Sequence, residues 1–226
     1  MKWLPLRKQE LLDVNDKSFY AGMIAGTHSS VGKTLWSLAL MALAKEKGLS
    51  VQPFKAGPDY IDPSFHHQIC YPRKSRNLDF FLLSEKEAER SFQKNTRDVD
   101  IAIVEGMMGL FDGKSPSGEE GSSAQIAKKL GLPVFLVIDG SGLATSAAAV
   151  VLGFQQFDPF LNLAGVLINR VSSEGHFTWL KKAIEGKSGI PCLGCRRFDV
   201  RAARQESLSE NRLSRHEETF GCRAGL

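Results

Sequence analysis

The stretch FYAGMIAGTHSSVGKTLWSLALMALAKEKG, residues 19–48, decides the fold of this chain. It begins with a short apolar run at 19–25, which is typical of a buried strand. Apolar residues then recur at helical spacing over 33–47, and Gly48 follows where a helix C-cap glycine is expected. The segment GTHSSVGKT (26–34) lies between strand and helix, and this arrangement predicts a phosphate-binding loop.

Each residue type in this loop has a physical role toward phosphate. Glycines at positions 26 and 32 allow the backbone to approach an oxygen closely, and the following helix adds its positive end. Lys33 is expected to reach the β- and γ-phosphates, and the Thr34 hydroxyl to ligate Mg²⁺. The strict pattern requires glycine six residues before Lys33, where Thr27 stands, so the loop is a variant and a plain strand-to-helix turn is the alternative. We predict that ATP binds through Gly26, Thr27, His28, Ser29, Ser30, Val31, Gly32, Lys33 and Thr34.

Two observations argue against other uses of such a loop. Partition-type ATPases, which dimerise and switch partners, carry a second lysine five residues before the loop lysine, and His28 occupies that position here. Neither a Gly-x-Cys-x-Gly motif nor a serine-centred elbow occurs, so covalent catalysis is not indicated.

His66, His67 and His176 have no convincing partners in the sequence and are predicted to be ordinary core or surface histidines.

Further apolar segments predict how the sheet continues. Strands are expected at 50–54, 101–104, 133–138, 163–168 and 189–193, with helices at 124–130 and, as a buried helix, 144–154. Strands that alternate with helices predict an α/β fold of the P-loop NTPase type, with a mostly parallel central sheet and helices on both faces. In such sheets ligands bind at the carboxyl ends of the strands.

Two glycine-bearing, acid-bearing loops follow predicted strands, KAGPDYIDP (55–63) and EGMMGLFDG (105–113). Glu105 comes directly after an apolar strand and is predicted to ligate Mg²⁺, because this ion prefers one or two carboxylates together with phosphates and water. Asp59 is the second choice, with turn formation or helix capping as its alternative. Lys55 is expected to add a second positive charge near the γ-phosphate, where phosphoryl transfer accumulates negative charge.

Charge and hydropathy restrict the class of partner. The net charge is +4 over 226 residues, and the basic residues are scattered, so a nucleic-acid partner is not predicted. No apolar run approaches the ~20 residues of a membrane-spanning helix, and no secretory signal is visible. We expect a cytoplasmic protein without a membrane partner that acts on a small anionic ligand.

The motifs carry a resemblance to a known family. The chain resembles the N-terminal synthetase domain of the cobyrinic acid a,c-diamide synthases, within the wider dethiobiotin synthetase-like group. KAGPDYIDP is the most specific motif, because it separates these enzymes from the cobyric acid synthases. The matching segments are GTHSSVGKT (26–34), KAGPDYIDPSFH (55–66), NLD (77–79), VEGMMGLFDG (104–113), GSSAQIA (121–127), PVFLVID (133–139) and GVLINRV (165–171).

This resemblance implies a reaction and a set of roles. ATP would phosphorylate a peripheral carboxylate of cobyrinic or hydrogenobyrinic acid, and ammonia would displace the phosphate, giving amides at side chains c and a in cobalamin biosynthesis. The implied roles are Mg²⁺ ligation by Thr34, Asp59 and Glu105, catalysis by Lys33, Lys55, Asp59, Asp62 and Glu105, nucleotide contact by Asn169 and Arg170, and substrate contact by Tyr60, Asp62 and Asp79.

The resemblance also implies an organisation. We expect an N-terminal extension at 1–18, the ATP-binding amide-ligase domain at 19–194, and a divergent polar tail at 195–226, where seven Arg and no Lys occur. Family members continue into a glutaminase-like domain that this sequence lacks, so free ammonia or a separate glutaminase is the expected nitrogen source. The resemblance to this group also implies that the chain forms a homodimer. The alternatives are another ligase of the group, such as a nickel-sirohydrochlorin a,c-diamide synthase or a dethiobiotin-type carbon dioxide ligase, and an inactive nucleotide-binding fragment.

Overall fold

The computed structural model describes residues 19–80, 82–116 and 119–197. Strands and helices alternate along this part of the chain, as the apolar segments predict. The elements are β1 (Tyr20–Gly26), α1 (Lys33–Glu46), β2 (Val51–Ala56), α2 (Ile61–Cys70), β3 (Arg76–Leu78), α3 (Glu85–Thr96), β4 (Ile101–Glu105), α4 (Ser123–Lys129), β5 (Val134–Asp139), α5 (Ser146–Phe157), β6 (Leu163–Val171), α6 (Glu174–Ser188) and β7 (Cys192–Arg197).

The strands form one sheet in the order β3-β2-β4-β1-β5-β6-β7, and every pairing between them is parallel. The predicted α/β fold with a parallel sheet is therefore confirmed. From β1 the chain crosses to β2 and β3 on one side of the sheet. From β4 it crosses to β5, β6 and β7 on the other side of β1. Neighbouring strands that lead in opposite directions leave a crevice at their carboxyl ends, and this is where open α/β sheets bind ligands.

Helices cover both faces of the sheet. Ile24 of β1 packs in one buried cluster with residues of α1 and α2, whereas its neighbours Met23 and Ala25 pack in a second cluster with residues of α3, α4, α5 and α6. Successive side chains of a strand point to opposite faces, so the central strands must be apolar throughout. The apolar run of β5 is continuous because both faces of this strand are buried.

The helix starts differ in a way that concerns function. Side chains cap α3, α4 and α6, in which Ser84, Ser122 and Ser173 accept a hydrogen bond from a backbone N–H of the first turn. No N-cap side chain caps α1, α2 or α5, and α1 begins directly after Gly32 of the loop at 26–34. A helix end without a side-chain cap attracts anions.

Several elements differ from the sequence predictions. The edge strand β3 and the helices α2, α3 and α6 were not predicted. The helix predicted at 144–154 is present as α5, but the prediction that it is buried is wrong, because Ala147, Ala148 and Val151 are buried while the opposite face is exposed. Strand β7 continues three residues beyond the boundary expected at 194. The predicted extension at 1–18 and most of the predicted tail, 198–226, lie outside the described residues.

No helix among the described residues has the length and apolar character that crossing a bilayer would require.

Candidate active site

The loop after β1 has the close contacts that its glycines make possible. A Cβ atom on Gly26 would collide with the Val31 side chain, and one on Gly32 would collide with the Asn169 amide. Gly32 also has a φ of 107°, which residues with a side chain rarely adopt. The backbone N–H of Leu110 donates to the Gly26 carbonyl at 2.8 Å, so the loop after β4 supports the loop after β1.

Lys33 folds back over this loop. Its Nζ donates to the His28 carbonyl at 3.1 Å, and the residue is almost fully buried. Burial and the neighbouring Lys55 ammonium together lower the pKa of Lys33, although Glu105 and Asp62 partly oppose this. A buried cation that lacks sufficient negative charge around it favours an anionic ligand.

Thr34 and Glu105 meet at the start of α1. The Thr34 hydroxyl donates to Glu105 Oε1 at 2.6 Å, and Asp62 Oδ1 lies 3.4 Å from the same hydroxyl. Glu105 is the last residue of β4, and its backbone is paired with Ile24 of β1 and Lys55 of β2. The parallel strands therefore bring the phosphate loop and both predicted acid-bearing loops to one point.

Lys55 is the centre of a buried ionic cluster. Its Nζ lies 2.8 Å from Asp62 Oδ2, 3.3 Å from Glu105 Oε1 and 3.7 Å from Asp59 Oδ2, and it also donates to the Gly106 carbonyl at 3.1 Å. Burial alone would lower the pKa of Lys55, but Glu105, Asp62 and Asp59 outweigh it, so the pKa is raised. The lysine remains an ammonium at the site.

Glu105 is ionised although it is fully buried. Burial would raise its pKa, but hydrogen bonds from His66 and Thr34 and the charge of Lys55 lower the pKa below its ordinary value. His66 Nε2 lies 2.7 Å from Glu105 Oε2, and His66 Nδ1 lies 3.0 Å from Ser75 Oγ. His66 is a core histidine, one of the two outcomes predicted for it, but the sequence analysis missed its contact with Glu105. A signal was available, since His66 follows Asp62 by one helical turn within the segment 55–66.

The oxygen atoms here fit Mg²⁺. Thr34 Oγ1, Glu105 Oε1 and Asp62 Oδ1 are hard donors of the kind this ion prefers. No cluster of three or more His, Cys, Asp or Glu side chains arranged for a metal occurs in the described part of the chain. Mg²⁺ needs no such cage, because it keeps several waters and takes substrate phosphates as ligands.

Asp59 lies differently from the other two acids. Its Oδ1 accepts a hydrogen bond from the backbone N–H of Ile61 at 2.8 Å, at the start of α2. This is the turn-forming role that the sequence offered as an alternative. Of the two aspartates, it is Asp62, predicted for catalysis and substrate contact, that lies next to Thr34. Ligation of Mg²⁺ by Asp59 stays a prediction.

Asn169 and Arg170 reach the phosphate loop from β6. Asn169 is buried, and its Nδ2 donates to the Val31 carbonyl at 2.8 Å. Arg170 pairs with Asp139 at 2.6 Å and has a φ of 57°. Arg196, which the sequence analysis missed, donates to Asn169 Oδ1 at 3.3 Å. These contacts support the loop, and the nucleotide contacts expected of Asn169 and Arg170 stay predictions.

The residues predicted to contact substrate differ in exposure. Tyr60 is 83% exposed, and with Ile61 and Phe65 it forms an exposed apolar surface at the start of α2. Asp79 is buried directly after β3. The segment that follows β2 is joined to the end of β3. The backbone N–H of Gly57 donates to the Leu78 carbonyl at 2.9 Å.

Comparisons with known proteins point to a nucleotide-binding family. A family model described as the CobQ/CobB/MinD/ParA nucleotide binding domain matches residues 22–210. The cobyrinate a,c-diamide synthase of Salmonella typhimurium is 49% identical over 175 residues, which are 77% of this chain and 38% of that protein. The enzymes of the same name from Streptococcus sanguinis and Archaeoglobus fulgidus are 49% and 46% identical, each over 76% of this chain.

The chain spans about 38% of the length of the curated relatives it matches. Among solved structures, chloroplast FtsY from Physcomitrella patens covers 83% of this chain and 62% of its own, with a TM-score of 0.54 and 16% identity. The cell division protein FtsY from Thermotoga maritima covers 83% and 68%, with a TM-score of 0.52 and 17% identity. At this identity the likeness concerns the fold alone.

Proposed function

This chain belongs to the CobQ/CobB/MinD/ParA nucleotide-binding domain family, and from this premise we propose that it uses ATP and Mg²⁺ to activate corrinoid carboxylates for amidation. The observation that carries the proposal is the position of Lys55. Its ammonium lies beside Glu105, which in turn accepts from Thr34 of the phosphate loop. A nucleotide site with a second buried cation at the strand ends is built for phosphoryl transfer.

The two lysines would act on the transferred phosphoryl group. Negative charge spreads over its equatorial oxygens in the transition state, and Lys33 and Lys55 would stabilise that charge. The raised pKa of Lys55 keeps this group protonated. Thr34 and Glu105, with Asp62 beside them or Asp59 as the further carboxylate, would hold Mg²⁺, which neutralises phosphate charge when bound.

The reaction would proceed in two steps, phosphorylation of the carboxylate and then attack by ammonia. A carboxylate oxygen of the substrate attacks the γ-phosphorus, and ADP leaves, so that an acyl phosphate forms. Ammonia attacks the acyl carbon, phosphate leaves, and the nitrogen loses a proton to give the amide. Free ammonia or a separate glutaminase would supply the nitrogen.

The relatives' name and the exposed surface beside the site support a corrinoid substrate. The curated relatives reported above are named cobyrinate a,c-diamide synthases. Tyr60, Ile61 and Phe65 offer an apolar surface next to Asp62, where the edge of a large apolar ring with carboxylate side chains could lie. In this proposal Tyr60 and Asp62 contact the substrate directly, and Asp79 faces the substrate or orders its carboxylate.

The test is mass spectrometry of cobyrinate after incubation with the protein, ATP, Mg²⁺ and ammonium. Amidation replaces the hydroxyl group of the carboxylic acid with an NH2 group, which changes the mass of cobyrinate, and ADP should appear in proportion. The Lys55→Met variant should form no amide. Unchanged cobyrinate with the wild-type protein would refute the proposal for this chain.

The same assay separates the alternatives. ADP release with nickel-sirohydrochlorin but not with cobyrinate would indicate the related amidase. Nucleotide binding without turnover on any substrate of the panel would indicate a nucleotide-binding module.

The proposal includes a homodimer, which the resemblance to the dethiobiotin synthetase-like group implies, and a cytoplasmic location. Light scattering tests the dimer, and a monomeric mass at working concentration would remove it. Cell fractionation tests the compartment.

A further inference from the structure

His66 is a buried ionisable side chain at the site that the proposed reaction does not use. We propose that His66 is a positioning residue that leaves Glu105 a single carboxylate oxygen on the phosphate side and thereby favours Mg²⁺ over Ca²⁺ at the nucleotide. This inference rests on the proposed Mg²⁺ site. It assigns a metal-selecting role to a residue that need not touch metal, nucleotide or substrate.

The two oxygens of Glu105 face different partners. Oε1 accepts from Thr34 Oγ1 at 2.6 Å and lies 3.3 Å from Lys55 Nζ, so it faces the phosphate site. Oε2 lies 2.7 Å from His66 Nε2, and both residues are fully buried. An ionised carboxylate can only accept hydrogen bonds, so the imidazole must donate from Nε2. One oxygen is thus directed to the ligand side and the other is held on the protein side.

The imidazole is itself fixed at its other nitrogen. Ser75 Oγ lies 3.0 Å from His66 Nδ1. A hydrogen bond at Nδ1 joins the ring to Ser75 whichever of the two atoms donates. Hydrogen bonds at both ends of a buried ring set its orientation. The ring cannot turn away from Glu105 without breaking a buried hydrogen bond.

Helix α2 connects this contact with the rest of the cluster. Asp62 lies one helical turn before His66, so both side chains leave the same face of the helix. Asp62 Oδ2 holds Lys55 Nζ at 2.8 Å while His66 holds Glu105. One rigid element thereby positions both the second cation and the buried carboxylate.

The held oxygen bears differently on the two common divalent ions. Ca²⁺ takes six to eight oxygens and often binds a carboxylate through both of them, whereas Mg²⁺ takes six in a strict octahedron and retains water. Binding Glu105 through both oxygens would place a cation on Oε2 beside the His66 N–H donor, and competition for the same oxygen would weaken that buried hydrogen bond. Binding through Oε1 alone leaves that bond intact. The arrangement therefore disfavours Ca²⁺ more than Mg²⁺.

The test uses two variants, each of which can replace one of the two imidazole nitrogens. The side-chain amide of His66→Gln can replace Nε2 and still donate to Glu105, whereas that of His66→Asn reaches only as far as Nδ1. Binding of a non-hydrolysable ATP analogue is measured by calorimetry with Mg²⁺, with Ca²⁺ and with a chelator. His67→Asn is the matched control on the same helix, since His67 bonds to the Arg73 carbonyl instead.

We expect His66→Asn to lower the ratio of Mg²⁺ to Ca²⁺ affinity by about 10-fold or more, as loss of a residue that orients a metal ligand does. His66→Gln and His67→Asn should keep the wild-type ratio, and affinity in chelator should be unchanged throughout. An unchanged ratio in His66→Asn would overturn the inference. Should that variant fail to fold, Ser75→Ala takes its place, and an unchanged ratio there would overturn the inference equally.

The experiment also separates this inference from the proposed function. Wild-type protein that binds the analogue with a Mg²⁺ preference but forms no amide would refute amide ligation and leave the role of His66 intact. Wild-type protein whose analogue binding does not depend on metal would overturn the role of His66 and the proposed Mg²⁺ site together.

Discussion

Lys55 and Glu105 are direct partners in the pairing of β2 with β4, and Lys55 Nζ lies 3.3 Å from Glu105 Oε1. Both side chains are buried, with exposed fractions of 5% and 0%. The pair therefore follows from strand register alone, because residues aligned across parallel strands on the same face lie next to each other. A charge pair in this position concerns stability as well as the proposed catalysis.

Removal of one member of this pair should destabilise the protein strongly. The Lys55→Met variant leaves Glu105 ionised and buried without its cation, and the free energy of unfolding should fall by about 3–5 kcal/mol. Urea denaturation measures the change. The double variant Lys55→Met/Glu105→Gln removes both charges and should recover part of the loss. A double variant less stable than the single one would contradict this account.

Loss of the loop lysine should weaken triphosphate binding without a comparable loss of stability. Lys33→Ala removes an ammonium that would make charge-assisted hydrogen bonds to phosphate, worth about 1.5–3 kcal/mol each, or roughly 10- to 100-fold in affinity. Titration with a fluorescent ATP analogue measures the effect. Lys47→Ala, at the exposed far end of α1, is the control and should bind as wild type does. Equal losses in both variants would show that Lys33 has no specific role.

Stability should depend on pH through Glu105. The pKa of Glu105 in the folded protein lies below its ordinary value of 4.5. The stabilisation from its ionised form is therefore fully present above pH 4.5 and is lost as the pH falls through the folded pKa. Thermal unfolding of wild type and Glu105→Gln from neutral to acid pH should show a stability difference that shrinks with falling pH. A constant or growing difference would mean that Glu105 is not held as an anion.

Substitution of Gly32 should cost more than substitution of a glycine with a similar φ elsewhere. Gly32→Ala forces a φ of 107° on a residue with a Cβ and displaces the Asn169 amide. Gly48→Ala has a φ of 75° in open space, so it should cost only the backbone strain of about 1–2 kcal/mol. Chemical denaturation and nucleotide titration compare the two. Similar losses of both stability and affinity would exclude a specific role for the contact between Gly32 and Asn169.

The sequence could predict most of the sheet because its central strands must be apolar on both faces. Strand β3 escaped prediction because only Leu78 of its three residues is buried. Helix α3 could have been found, since Ser84 and Glu87 form a capping box and Ala88, Phe92 and Thr96 recur at a spacing of four. The polar character of the helix surface concealed that pattern.

For the site, the sequence could predict which side chains meet but not how they divide the contacts. Lys33, Thr34 and Glu105 come together because parallel strands end at one edge of the sheet. His66 could not be paired in advance, since Glu105 lies 39 positions further along and only the packing of α2 brings the two together. Its helical spacing from Asp62 was the one available signal.

The hydrogen bond from Asn169 to the Val31 carbonyl joins residues 138 positions apart. During synthesis, the ribosome makes the loop at 26–34 long before it makes β6. The nascent chain therefore cannot complete its phosphate-binding loop until β6 has emerged and paired with β5. A nascent chain arrested before residue 169 would carry the whole GTHSSVGKT motif and still lack the contact that shapes it, so nucleotide capture would begin only late in translation.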